Sequence, residues 1–212
     1  MPSKIKMRLA IAISILPLNV LRVRGYRLLG YDIRNSRIGI GTIIAVDSAR
    51  IRSARIGPLN LFNGPMDVVI HPGATIGNRN EFSCGSWVLE ARSKEAHYTR
   101  TLAIGAGATI TCRHFFDIAG TLSLGERSWI AGLSSQFWTH GAGVIERDIE
   151  IGTDCYVGSV VRFAPGSSIG NNVLVAMGSV VSGALGANNA LVGGVPAKVL
   201  KEKYDWKSHT VS

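Results

Sequence analysis

Proton transfer near neutral pH is work best suited to histidine, and this chain has five. His140 stands in SSQFWTHGAG (residues 134–143), between Trp138-Thr139 and Gly141. The glycines and the polar stretch that follows point to an exposed ring acting as a general base. The plainer alternative is a turn histidine with both nitrogens satisfied. TCRHFFDIAG (residues 111–120) supplies His114 and Asp117. A carboxylate there would orient a hydroxyl-bearing substrate or the base itself, although aspartates at turns often only cap backbone N–H groups. His114 and Trp138 are candidate lining residues. LVGGVPAKVLKE (residues 191–202) joins a Gly-Gly-x-Pro turn to Lys198 and Lys201. Cys84, Cys112 and Cys155 are odd in number and show no CxxC spacing. That speaks against a zinc knuckle or a disulfide framework and for buried thiols in a reducing compartment.

The elements that must position these groups are legible as a repeat. From Ile38 onward an aliphatic residue followed by a small one recurs every six positions. The longest run is Ile151, Val157, Phe163, Ile169, Val175, Val181. Further steps are Ile118–Leu124–Ile130, Ile104–Ile110 and Ile70–Ile76–Phe82. A period of six does not match a helix, and recurrent glycine would weaken one. Short strands joined by turns do match, with three steps closing a triangular coil and coils stacking at the strand spacing of about 4.8 Å. Ala74, Ala108, Ser128, Ser134, Ser167 and Ser179 are expected inside corners. The expected fold class is an all-β solenoid with a short N-terminal helix and a polar C-terminal tail. The expected divisions are residues 1–35, 36–200 and 201–212. Breaks in the repeat at 91–100, between Ile110 and Ile118, and from Gly141 to Asp148 become outer loops, where function gathers.

The chain is basic, with 23 Lys and Arg against 14 Asp and Glu, a net charge of +9. Such a field suits polyanions, but no nucleic-acid-binding motif accompanies it, so no nucleic acid partner is expected. Residues 9–21, LAIAISILPLNVL, are too short to span a bilayer and contain Pro17. They predict a helix that docks on its own domain or a neighbouring subunit, or lies on an anionic membrane surface.

On these motifs the chain resembles the hexapeptide-repeat acyltransferases, whose fold is a left-handed parallel β-helix. The likeness runs from about Ile38 to Glu202. VGGVPAKVLKE resembles that family's closing motif, and RLLGYDIRNSRIGIGTII resembles the opening of the helix in polysaccharide and sugar O-acetyltransferases. Left-handedness is implied by the resemblance alone, because ordinary crossover chirality predicts the opposite. The resemblance implies a homotrimer with acetyl-CoA lying between subunits. It implies His140 as the base and Asp117 as an acceptor contact. It places Ser159, Met177, Lys198 and Lys201 against the CoA. Ser182 and Gly183 fall where many members carry Thr-Lys, and Arg162 is the available substitute cation. The implied activity is O-acetylation of a sugar hydroxyl in a bacterial surface polysaccharide or its precursor, in the cytoplasm or at the inner face of the membrane, with no metal. Three alternatives stand beside it. One is N-acetylation of a nucleotide-linked amino sugar. Another is a non-catalytic scaffold. The third is a γ-carbonic-anhydrase-like zinc enzyme drawing on His71, His97, His114 and His140.

Overall fold

The computed structural model describes residues 4–90 and 97–209, and the expected loop at 91–100 therefore lies partly outside the described residues. The chain winds into a left-handed β-helix of about eight turns behind two short N-terminal helices, α1 (Lys4–Ser14) and α2 (Asn19–Leu28). Successive coils stack their strands in parallel on three faces; in the first two coils a single ten-residue strand, Ile43–Arg52 or Leu61–Ile70, runs across both the second and the third face. A clean coil takes eighteen residues, as from Ile38 to Ile56 or from Val157 to Val175.

Each face buries stacked side chains. The first stacks Ile38, Ile56, Ile76, Ile110, Ile130, Val157, Val175 and Val192. The third stacks Ile33, Ile51, Ile70, Ile104, Leu124, Ile151, Ile169 and Leu185. On the second face Phe62, Phe82, Phe116, Phe137 and Phe163 form a ladder, with ring centroids 4.5, 4.5, 4.7 and 5.1 Å apart. Offset ring contacts of this kind add about 0.5–1.5 kcal/mol per pair to the area they bury.

The small residue after each inward aliphatic has a specific cause. A Cβ on Gly57 would sit 2.3 Å from the Gly77 carbonyl oxygen, and one on Gly125 would sit 2.3 Å from that of Gly152. Neither glycine has a positive φ, so close backbone approach between coils, not turn conformation, excludes a side chain.

Two details of the predicted repeat differ. Ile118 is not a repeat position. Phe116 follows Ile110 at the regular six and takes the inward place, paired with Phe82 and Phe137. The two extra residues fall after it, so the break begins at Asp117 rather than before Ile118. Ser134 is likewise not inside its corner. The first-face strand shifts register between Ile130 and Leu133, Gly132 takes a φ of +67°, and Ser135 becomes the fully buried residue instead.

The helices close the open edge of the first coil, which would otherwise present unpaired backbone groups. Asn19 accepts from Ile38 N–H at 2.8 Å and donates to the Ser36 carbonyl at 3.2 Å. Buried Arg22 donates to the Ile38 carbonyl at 2.8 Å and to that of Leu16. The Tyr26 hydroxyl donates to the Thr42 carbonyl at 2.6 Å, and Tyr31 accepts from Val46 N–H at 3.0 Å. At the other end the last strand, Ala197–Lys201, turns back antiparallel on Ala190–Gly194. The tail then folds along the side of the stack rather than over its end. Trp206 packs against Tyr156 at 5.2 Å and donates to the Asp154 carbonyl at 2.8 Å. Lys207 and Arg127 hold the Asp154 carboxyl, whose pKa is drawn down to about 2 chiefly by the Arg127 hydrogen bond.

Candidate active site

The corner between the second and third faces brings Asp117 and His140 together. After the inward Phe137, strand alternation turns Trp138 outward, Thr139 inward and His140 outward. Thr139 is fully buried, and its hydroxyl accepts from Gly120 N–H at 2.9 Å. Asp117 lies one coil earlier, and its side chain is 8% exposed. Its Oδ2 accepts from Thr139 N–H at 3.0 Å, from the Thr139 hydroxyl at 2.9 Å and from His140 Nδ1 at 2.8 Å.

This arrangement has one chemical consequence. With Nδ1–H donated to a carboxylate, the lone pair of His140 is on Nε2, and the side chain is 37% exposed. That is the tautomer a general base requires. The same bond lets Asp117 orient the His140 ring, and orienting a base is one of the two roles read for a carboxylate at this position.

Aromatic side chains wall the imidazole. Trp87, in a 3-10 turn over Ser86–Leu89, lies 5.0 Å from the His140 ring and meets Tyr98 edge-on at 5.1 Å. Trp138 lies 6.3 Å from His140, packs on Phe115 at 4.9 Å, and donates to Gln136 at 3.4 Å. Beyond Tyr98 a cavity of about 750 Å³ opens between Thr99, Gly120, Ile145, Arg147 and Asp148, where the 141–148 break leaves the coil. Trp87, Tyr98 and Thr139 escape sequence reasoning. Thr139 sits inside a motif centred on its neighbour. Trp87 and Tyr98 stand on either side of residues 91–96, and no spacing rule ties them to His140.

His114 is placed elsewhere. It is one rung in a polar ladder inside the corner between the first and second faces. In that ladder each side chain accepts the backbone N–H of the next coil. Thr42 accepts from Asn60 at 3.1 Å, Asn60 from Asn80 at 2.9 Å, and Asn80 from His114 at 3.0 Å. His114 Nδ1 then accepts from Ser135 at 3.1 Å, and Ser135 from Val161 at 3.2 Å. Nδ1 is therefore unprotonated, and Nε2–H meets the Thr111 hydroxyl at 2.9 Å. Burial pushes its pKa down to about 4. The ring is 1% exposed and neutral, which removes it from the set of acceptor contacts. Among the described residues no three His, Cys, Asp or Glu side chains converge as metal ligands. Burial raises the Cys84 thiol to about 12 and raises that of Cys155, so neither is a nucleophile near neutrality.

The residues expected to meet a cofactor fall into four places. Ser182 and Gly183 lie on the His140 corner, two coils further along, in the column that continues Trp138 through Ala164. Ser159 and Met177 stack on the corner between the first and second faces, where Gly178 N–H bonds the Ser159 carbonyl at 3.0 Å and Met177 is 75% exposed. Outward-facing Arg162, on the second face between these corners, donates to Gln136 at 3.3 Å. Lys198 and Lys201 are exposed on the final strand, with Lys201 over the Tyr204 ring at 5.1 Å.

No family model matches this sequence, and neither does any of the curated proteins. Solved structures do. The polysialic acid-specific acetyltransferase NeuO matches with 19% identity over 83% of this chain and 82% of its own, at a TM-score of 0.52. A hexapeptide-repeat acetyltransferase from Vibrio cholerae matches with 21% identity over 94% and 89%, at 0.53. The polysialic acid O-acetyltransferase OatWY matches with 20% identity over 83% of each chain, at 0.51. The chain thus has the hexapeptide-repeat acyltransferase fold.

Proposed function

We propose that this protein is an acetyl-CoA-dependent O-acetyltransferase that acts on a sugar hydroxyl of a surface polysaccharide or its precursor. The observation that carries the reading is the 2.8 Å bond from His140 Nδ1 to buried Asp117, which leaves Nε2 without a hydrogen-bond partner among the described residues, at an aromatic-walled, half-open corner. In the reaction Nε2 takes the proton of the acceptor hydroxyl while its oxygen attacks the thioester carbonyl. Asp117 stabilises the imidazolium that forms. As the tetrahedral intermediate collapses, the carbon–sulfur bond breaks and the imidazolium returns its proton to the departing CoA thiolate. The thioester is already activated, so no enzyme nucleophile is required, consistent with the buried, protonated thiols of Cys84 and Cys155.

Support for the co-substrate comes from the neighbours. Three are named acetyltransferases, and the Vibrio cholerae protein has been crystallised with acetyl coenzyme A. Ser159, Met177, Ser182, Gly183, Arg162, Lys198 and Lys201 are the residues we assign to the CoA arm and its phosphates. Some lie on different sides of the stack from His140, which fits a homotrimer in which one chain supplies the base and its neighbour part of the CoA groove. Trp87 and Trp138 supply flat apolar surfaces of the kind that pack against sugar rings. A sugar acceptor is in keeping with the polysialic acid specificity named for two of the neighbours. Acetyl-CoA is a cytoplasmic metabolite, and we place the reaction there.

Incubation of wild type and His140→Ala with acetyl-CoA and a panel of glycans tests the reading, with thiol release and product mass as readouts. We expect an ester product and a loss of about 10²–10⁴ in turnover for the variant. Undiminished transfer by His140→Ala removes His140 as the base. An amide product moves the acceptor to an amino sugar.

A further inference from the structure

The two N-terminal helices carry a face that the solenoid does not use. Ala10 and Ser14 of α1 and Val23 and Tyr26 of α2 are buried against the first coil. On the other side Ile5, Leu9, Ile15, Leu18 and Leu28 are 69, 47, 66, 59 and 89% exposed. A surface helix normally turns polar groups outward, and here large aliphatic groups take that place. Cations are interleaved with them. Lys4, Arg8 and Arg24 are exposed, and the structure gives none of them a salt-bridge partner among the described residues. No acidic residue precedes Asp32.

We propose that this helical cap docks on the surface of an anionic lipid bilayer, with its aliphatic side chains in the acyl boundary and its cations among the phosphates. Charge selects this occupant. A second copy of the cap would set Lys4, Arg8 and Arg24 against their own counterparts, whereas an anionic headgroup layer complements them. Exposed Arg37 and Arg55, paired in register on the outside of the first two coils, extend the basic surface. Geometry makes the contact interfacial. Among the described residues no helix is long and apolar enough to cross a membrane. The eleven residues of α1 end before Pro17, so the helices lie along the surface. Lys4 and Arg8 also line a cavity of about 450 Å³ with Gly85 and Ser86, next to the turn that carries Trp87 to His140. A docked protein therefore holds that side of its active-site corner near the lipid, where a lipid-borne glycan acceptor would be presented. This last consequence rests on the proposed function, but the docking does not.

The test is co-sedimentation of the full chain, without acetyl-CoA, with vesicles of phosphatidylcholine alone or of phosphatidylcholine containing phosphatidylglycerol. Binding is expected to the anionic vesicles and to fall with salt. Lys4→Ala and Arg8→Ala are each expected to weaken it about fivefold, and together about 30-fold. Leu9→Ser and Ile15→Ser are each expected to weaken it about tenfold or more, the loss of one buried aliphatic group. All four positions are exposed, and an unchanged Tm verifies that the variants fold. No binding to anionic vesicles at low salt overturns the proposal, as does equal binding by wild type and all variants. A changed oligomeric state in Leu9→Ser or Ile15→Ser, read by light scattering, also overturns it and assigns the face to a second copy.

Discussion

Replacing Asp117 by Asn tests the central geometry, because it removes a charge while leaving an oxygen acceptor of nearly the same shape. Three donors converge on Asp117 Oδ2: Thr139 N–H, the Thr139 hydroxyl and His140 Nδ1–H. An amide NH₂ cannot face three donors, so the Asn oxygen takes that place and the His140 tautomer is kept. What is lost is the charge that stabilises the imidazolium as the acceptor proton arrives. A hydrogen bond to a charged group is worth about 1.5–3 kcal/mol against about 0.5–1.5 for a neutral one, a difference of about 1.4 kcal/mol. That corresponds to about tenfold in rate. Turnover of Asp117→Asn, measured by CoA thiol release, is therefore expected to fall about tenfold with KM for acetyl-CoA unchanged. In the proposed mechanism Asp117 acts only through His140, so adding Asp117→Asn to His140→Ala is expected to cost nothing further. Wild-type turnover in Asp117→Asn refutes the orienting role. An equal penalty in the His140→Ala background refutes it too, and returns Asp117 to direct contact with the acceptor.

Four further outcomes concern His114, Trp87 and Gly125. His114 is neutral in the fold with a pKa of about 4, below its unfolded value of about 6.5, so the unfolded chain takes up the proton first. The stability held by the neutral ring is complete above about pH 6.5 and is lost as pH falls through about 4. This amounts to up to about 3 kcal/mol, and denaturant midpoints across that window are expected to flatten in His114→Asn. An Asn there also repeats the rungs at Asn60 and Asn80 and keeps the Ser135 N–H partnered. His114→Ala leaves that donor orphaned at a cost of about 1–3 kcal/mol, read from the same unfolding curves. Trp87→Ala removes a ring 5.0 Å from His140, and kcat/KM for the acceptor is expected to fall up to about tenfold, the worth of an aromatic contact of about 0.5–1.5 kcal/mol. Gly125→Ala sets a Cβ 2.3 Å from the Gly152 backbone, and overpacking of about 1–3 kcal/mol is expected to lower Tm by several degrees.

The solenoid was readable because its information is one-dimensional. Each inward Ile, Val or Phe repeats the environment of the residue one coil away, so spacing alone identifies Ile151, Val157, Phe163 and Ile169 as core. His140 stood out as a candidate too, from a motif beside a break in that spacing. The polar groups were not. Asp117 and His114 stand three positions apart in one strand-and-turn segment, and composition treats them alike. Only the stacked coils show that Asp117 lies under Thr139 and His140 while His114 lies between Asn80 and Ser135. Hydrogen-bond partners in a solenoid are a coil apart, at separations set by insertions such as Gly132 and the residues after Phe116. Trp87 reaches His140 across such an interruption. The sequence by itself determined the stack, its core and the histidine at its break. The tertiary structure decided which polar side chain orients that histidine and which only bonds the backbone of its own corner, because that depends on how neighbouring coils fall into register.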